Sequence, residues 1–184
     1  EIGQDWAAME SDVRGMIMRA KDDLEGAAFV SGNGTSAPQG VTTALDGTAS
    51  EIAPATAETF AVADVYALEA SLEARYGANA AFVAHKVWYN AIRQFDTAGG
   101  NALWDHLGAG RPSQLLGYNA YESSDMDAVL PNAAATADNF GLMIGDFSNY
   151  VIVDRIGLSV ELIPHLFATA NNRPSGQRGF YAHF

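Results

Sequence analysis

Apolar residues recur at steps of three and four from the start of the chain: Trp6, Met9, Val13, Met16, Ile17, Ala20, Leu24, Ala27 and Ala28. That spacing gathers them on one face of an amphipathic helix from about Gln4 to Val30. Glu10 with Arg14, and Lys21 with Glu25, stand four apart on its polar side and support it modestly. At about 1.5 Å per residue such a helix is roughly 40 Å long, well above the globular average. It needs a sheet or neighbouring subunits to lie against.

The pattern stops abruptly at Ser31-Gly32-Asn33-Gly34-Thr35-Ser36-Ala37-Pro38-Gln39-Gly40-Val41. Glycine permits positive φ and proline locks φ near −65°, so Gly32, Gly34, Pro38 and Gly40 predict a rigid reversal. Residues 42–58 are small and polar and read as an exposed connection. A second helix is predicted from about Ala61 to Tyr76, with Val62, Val65, Leu68 and Leu72 on its buried side. Gly77 and Asn79 stop it. Ala80 to Ala84 reads as a short buried strand. A third helix, about His85 to Phe95, buries Trp88, Ala91, Ile92 and Phe95, and Thr97-Ala98-Gly99-Gly100 breaks it.

From Asn101 the chain turns β-like. The strand candidates are Ala102 to Trp104, Leu115 to Tyr121 and Leu142 to Ile144. Two longer ones, Tyr150 to Asp154 and Leu158 to Ile163, read as a hairpin with its turn at Arg155-Ile156-Gly157. A last apolar run, Phe180 to Phe184, ends the chain without a polar stop. With Glu1 rather than Met at the other end, the chain reads as a fragment. A long helix, then a helix–strand–helix, then strands, makes an α+β fold.

Composition narrows the function. The chain has 184 residues, enough for one domain with a smaller neighbour; 48% are hydrophobic and 17% charged, as in a globular protein. No apolar run approaches a membrane span, and no signal peptide is visible. Without cysteine there is no disulfide or thiolate chemistry. The net charge of −12 is uneven: residues 1–73 carry 13 acidic and 3 basic side chains. Such a surface repels phosphate backbones and argues against non-specific nucleic-acid binding.

The candidate chemical motifs fail on context. Gly32-Asn33-Gly34-Thr35-Ser36-Ala37 formally fits a relaxed dinucleotide-binding pattern. That chemistry needs a strand before the loop and a helix after it, whereas here a helix precedes and Pro38 follows. No Lys-Ser or Lys-Thr closes a P-loop. Asn33-Gly34-Thr35 is a glycosylation sequon without a secretory context. His85, His106, His165 and His183 are scattered without zinc spacing. Asp125 and Asp127 lack the central Gly and closing Glu of a calcium loop. No nucleophile elbow exists, and nothing selects one carboxylate pair among 22 acids. No catalytic, cofactor or metal residue is assigned.

A long helix running into this Gly-Thr-Pro loop resembles tailed-bacteriophage major capsid proteins of the Hong Kong 97 fold. That family repeats a G-(D/N)-G-T-x-x-P-x-G signature after its spine helix, matched here by Gly32, Asn33, Gly34, Thr35, Pro38 and Gly40. Further blocks follow in order. Asn79 to Val83 is similar to the family's buried strand ahead of a helix carrying Trp88 and Ile92. Phe95 to Gly100 is similar to its turn, and Leu115-Leu116-Gly117-Tyr118 to its "LLG" strand. Gly145, Asp146 and Phe147, with Asp154 and Arg155, are similar to its "GDF…DR" block.

The resemblance implies a spine helix over residues 1–30 belonging to a peripheral domain. It implies an axial domain over 31–145 and returning peripheral strands over 146–184. It implies self-assembly into pentamers and hexamers of an icosahedral shell around a genome, in a virion built in the bacterial cytoplasm. Scaffold, portal and decoration proteins are further implied partners, without cofactor, membrane or specific nucleic-acid binding. The family's N-terminal arm and extended loop precede the spine helix, so this chain alone is not expected to close a shell. The Lys–Asn cross-link of some members finds no matching Asn near Gly179. A negative inner surface would keep packaged DNA from adhering. An encapsulin-type nanocompartment protein is the first alternative and a small α+β enzyme the second.

Overall fold

The computed structural model describes residues 6–56, 58–95, 104–105, 114–131, 139–153, 157–168 and 172–183. It divides into two compact units, Gly26–Val151 and Glu1–Glu25 with Ile152–Phe184. The division falls within the first helix, α1 (Trp6–Ser31).

The helix predicted by periodicity forms, at 26 residues. Both i, i+4 pairs form too: Arg14 lies 2.9 Å from Glu10, and Lys21 bonds to Glu25. Its apolar face, however, is not buried as expected. Val13 and Ile17 are half-buried, but Met9, Met16 and Leu24 are 42%, 67% and 62% exposed. Among the described residues of this unit, the other regular element is the hairpin of β6 (Ser159–Ile163) and β7 (Gly179–His183). Its five-residue strands reach roughly 17 Å, less than half the helix's length, and cannot cover the stripe.

That hairpin corrects the predicted one. β6 pairs with β7 in the register Ser159↔His183 to Ile163↔Gly179, so Val160 and Leu162 oppose Ala182 and Phe180. Val151, Ile152 and Val153 form no strand, and Val151 and Val153 are 76% and 85% exposed. The predicted turn residues Arg155 and Ile156 lie outside the described residues, as does Asp154. Pairing with the C-terminal run supplies the apolar cross-strand contacts that the short Arg155-Ile156-Gly157 turn was expected to give.

The Gly26–Val151 unit holds the core. Its sheet has the order β2-β3-β4-β1-β5, with β1 (Ala81–Ala84) parallel to β4 (Tyr118–Glu122) and antiparallel to β5 (Leu142–Gly145). β2 (Trp104–Asp105) and β3 (Gln114–Leu115) complete it. β1 was predicted from its unbroken apolar run, and three of its four residues are buried. Helices α2 (Val41–Leu45), α3 (Val62–Ala70) and α4 (Lys86–Gln94) accompany the sheet. Val65 of α3, Phe82 and Ala84 of β1, Trp88, Tyr89 and Ile92 of α4, and Leu115 form one buried cluster. Phe60 meets the Trp88 ring edge-on at 4.8 Å.

Local chemistry explains three departures from prediction. α3 ends at Ala70 rather than Tyr76. There the Ser71 hydroxyl donates to Leu68 O at 2.7 Å, and the Leu72 N–H bonds back only three residues. The run Leu115 to Tyr121 is two strands, because Leu116 and Gly117 both have positive φ (54° and 83°) and make a hairpin turn. The connection after Gly40 opens with the short α2 and is otherwise largely exposed, as expected. In α4 the prediction missed Tyr89, which is buried, while Ala91 and Phe95 are half-buried. The break at Thr97 to Gly100 falls outside the described residues.

Candidate functional site

α1 ends in a closed loop built almost wholly from backbone. Gly32 N–H donates to Ala28 O at 2.8 Å, extending the helix by one bond. Gly40 N–H then returns to Gly32 O at 2.9 Å, and Asn33 pairs with Gln39 as an antiparallel bridge. The two strands of this clasp touch. A Cβ on Gly32 would lie 2.0 Å from Pro38 O and 2.4 Å from Ala28 O. On Gly40 it would lie 2.5 Å from Val30 O and from the Ser31 and Gly32 nitrogens. Both glycines are buried, so these two positions have no room for a side chain.

Asn33 closes the inside of the loop. Its Oδ1 accepts the N–H groups of Thr35, Ser36 and Ala37 at 3.0, 3.0 and 3.2 Å, and its Nδ2 donates to Ser36 Oγ at 2.9 Å. Gly34, at φ +69°, makes the bend that points these amides inward. Three converging N–H groups are what an anion-binding nest would offer. Here one carboxamide oxygen occupies them, which is the structural reason the phosphate reading fails. Thr35 and Pro38 are exposed, Thr35 bound through its backbone to Asn33.

Two residues that sequence reasoning missed lock the loop from outside. Thr42 is buried, and its hydroxyl donates to Val30 O at 2.7 Å, satisfying a carbonyl orphaned at the helix end. Tyr150 places its Oη 3.1 Å from Gln39 O and 3.4 Å from Phe29 O, so its single proton serves both strands of the clasp. Tyr150 is positioned by the block before it. Asp146 Oδ1 accepts the Ser148 N–H at 3.0 Å and the Ser148 hydroxyl at 2.6 Å, folding Phe147–Asn149 into a 3₁₀ turn.

The structure thus brings Gly32, Asn33, Gly34, Thr35, Pro38 and Gly40 into one loop. Gly145, Asp146 and Phe147 follow β5 and reach that loop through Tyr150. Asp154 and Arg155 lie outside the described residues. Thr42 is the second residue of α2, and its role depends on the Val30 carbonyl that the loop brings to it. Tyr150 was hidden inside an apolar run that reads as a strand.

Two of the remaining chemical candidates have structural work, and His106 lies outside the described residues. Asp127 carries the Trp88 indole N–H on its carbonyl at 2.8 Å and the Phe140 N–H on its carboxylate at 2.9 Å. His85 caps α4 by accepting the Val87 N–H at 3.2 Å. Among the described residues no group of acids and histidines could hold a metal ion. Burial, reinforced by the Glu122 carboxylate, pushes the Tyr89 phenol far above its ordinary value, and it donates to Tyr121 O at 2.8 Å.

A cavity of about 600 Å³ opens elsewhere in the unit, beside β5. Of its acids, Asp64 accepts the Ala55 and Ala61 N–H groups at 2.9 and 2.8 Å. Glu51 accepts the Gly47 N–H, and Glu73 pairs with Arg75. Three of its four carboxylates are therefore engaged, and no facing pair stands ready for acid–base work.

The closed turn at the end of α1 and the mixed sheet of the Gly26–Val151 unit are marks of a fold, and the fold is where known proteins match. The chain belongs to the phage capsid family, whose model matches residues 1–184. Among solved structures it is similar to the capsid of a native GTA (gene transfer agent) particle, with a TM-score of 0.70 and 30% identity. It is similar also to the capsid of an empty GTA particle, with a TM-score of 0.68 and 31% identity. Each match covers 94% of this chain and 59% of the capsid chain. No curated protein matches the sequence. The α+β capsid fold expected from the Gly-Thr-Pro loop and the blocks after it is borne out.

Proposed function

We propose that this chain is the shell-building part of a phage-type major head protein, assembling with copies of itself into pentamers and hexamers around a genome. The observation that carries the reading is the capsid fold itself: the family model matches residues 1–184, and the GTA capsid matches 94% of the chain at 30% identity and a TM-score of 0.70. On this reading the loop at Gly32–Gly40 is the hinge piece that sets the direction of the chain between two domains. The Gly26–Val151 unit corresponds to the axial domain at capsomer centres, and α1 with β6 and β7 to the peripheral domain. The exposed Met16 and Leu24 stripe is what a helix in an assembly of subunits needs and a lone monomer does not.

The test is peptide mapping of head-like particles purified from the producing cells. The expected result is that peptides of this sequence dominate the particle protein and that the particles hold nuclease-protected DNA. Particles filled with a protein cargo would favour the nanocompartment alternative. Absence of the sequence from any particle would overturn shell-building altogether.

A further inference from the structure

We propose that the outer edge of β5 and the groove it fronts form a docking site for an extended peptide segment of a partner protein, one alternating apolar residues with Lys or Arg. Six consecutive residues, Asn139 to Ile144, line the groove, the last three of them, Leu142, Met143 and Ile144, within β5. Successive strand side chains point to opposite faces, so a consecutive run on one wall means that the backbone edge itself fronts the groove. Among the described residues β5 ends the sheet, pairing only with β1. Among the described residues, the outward N–H and C=O groups of Leu142–Gly145 make no other hydrogen bond. Neither Lys nor Pro blocks this edge, the usual protections against strand addition.

The groove's chemistry names the occupant. Ile52, Phe60, Leu68, Leu72 and Phe140 give it an apolar floor for alternate side chains of an added strand. Its rim is negative: Glu51 and Glu58 are exposed, Asp64 is buried nearby, and no described lining residue is Lys, Arg or His. From Thr42 to Leu72 the chain carries five acids and no base. An acidic peptide would meet uncompensated repulsion here, whereas a cationic one has both its backbone and its charges matched. The four residues of β5 span roughly 13 Å, enough to pair a segment of about four residues. None of this depends on the chain building a shell, so the two readings fail separately.

The test is fluorescence anisotropy of the full chain with a labelled hexapeptide alternating lysine and isoleucine. Saturable binding is expected, weakened at least tenfold for the glutamate–isoleucine analogue and at least tenfold by Glu51→Gln with Glu58→Gln. The paired control Asp22→Asn with Asp23→Asn, on the exposed side of α1, leaves binding unchanged. Two further peptides, N-methylated at the lysines or at the isoleucines, separate edge pairing from charge attraction. Only one set of amides faces the sheet, so one peptide loses binding and the other keeps it. Equal loss or equal retention overturns the proposal, as does no saturation by millimolar peptide. A dimer of the chain that excludes the peptide also overturns it, assigning the edge to a second copy.

Discussion

Replacing Gly32 by Ala tests whether the clasp at the end of α1 is set by backbone contact. The added Cβ would sit 2.0 Å from Pro38 O and 2.4 Å from Ala28 O, against a limit of about 3.0 Å below which real Cβ contacts essentially never occur. Both obstacles are main-chain atoms, so no side chain can swing aside. Relief needs a shift of close to 1 Å between two segments held by Gly32 N–H to Ala28 O, Gly40 N–H to Gly32 O and the Asn33–Gln39 bridge. Losing or stretching two or three such bonds, at about 0.5–1.5 kcal/mol each, gives an expected destabilisation of roughly 2–4 kcal/mol. The contrast is Gly15→Ala on the same helix, where nothing lies within 4 Å of the new atom. There the higher helix propensity of Ala should stabilise by about 0.5–1 kcal/mol. Urea unfolding followed by tryptophan emission reads the Gly32 change, since Trp88 is buried in the unit that holds the clasp, and helical circular dichroism in the same titration reads the Gly15 change. A Gly32→Ala midpoint within about 0.5 kcal/mol of the parent, at equal slope, would refute the claim that contact dictates this glycine.

Asn33→Ala removes the acceptor for three loop amides and should cost about 1–2 kcal/mol, whereas Asn33→Asp keeps the acceptor and should cost less than half of that. Equal losses in thermal unfolding would sink this account of the loop. Gly141→Ala would push a carbon to 1.7 Å from the Trp88 ring and should cost about 3 kcal/mol or more, visible also as a changed tryptophan emission. The Tyr89 phenol is held neutral in the folded chain while the unfolded one ionises near pH 10. Its stabilising contribution is therefore complete below pH 10 and falls above it by up to about 1.4 kcal/mol per pH unit. Tyr89→Phe should flatten that alkaline decline relative to the parent, and unchanged slopes in the two proteins would count against it.

The most periodic parts of the sequence were the most legible. α1 is set by its 3.6-residue repeat, and β1 and α4 by an unbroken apolar run followed by a helical stripe with a capping His85. The Gly-Thr-Pro loop was legible as a reversal and as a family mark, because Gly32 and Gly40 answer to local sterics alone. What the sequence concealed depends on distant partners. Leu115 to Tyr121 reads as one strand because positive φ at Leu116 is not a preference of leucine. Val151 to Val153 has strand composition, yet β6 found a better-matched partner some twenty residues further on. Thr42 and Tyr150 matter only through carbonyls brought to them by the turn, so nothing in their own neighbourhood marks them. Periodicity likewise does not report that Met16 and Leu24 of the apolar stripe stand exposed.

The saturation of the Thr35, Ser36 and Ala37 amides by Asn33 carries a consequence for the surroundings in which the chain works. A turn whose donors were open would change shape with the ions around it, tightening on phosphate and relaxing without it. This one keeps its own counter-group on a short tether, at an effective concentration no dissolved anion reaches. The turn thereby needs no dissolved anion to hold its shape, and salt or polyanions find no open donor there to compete for.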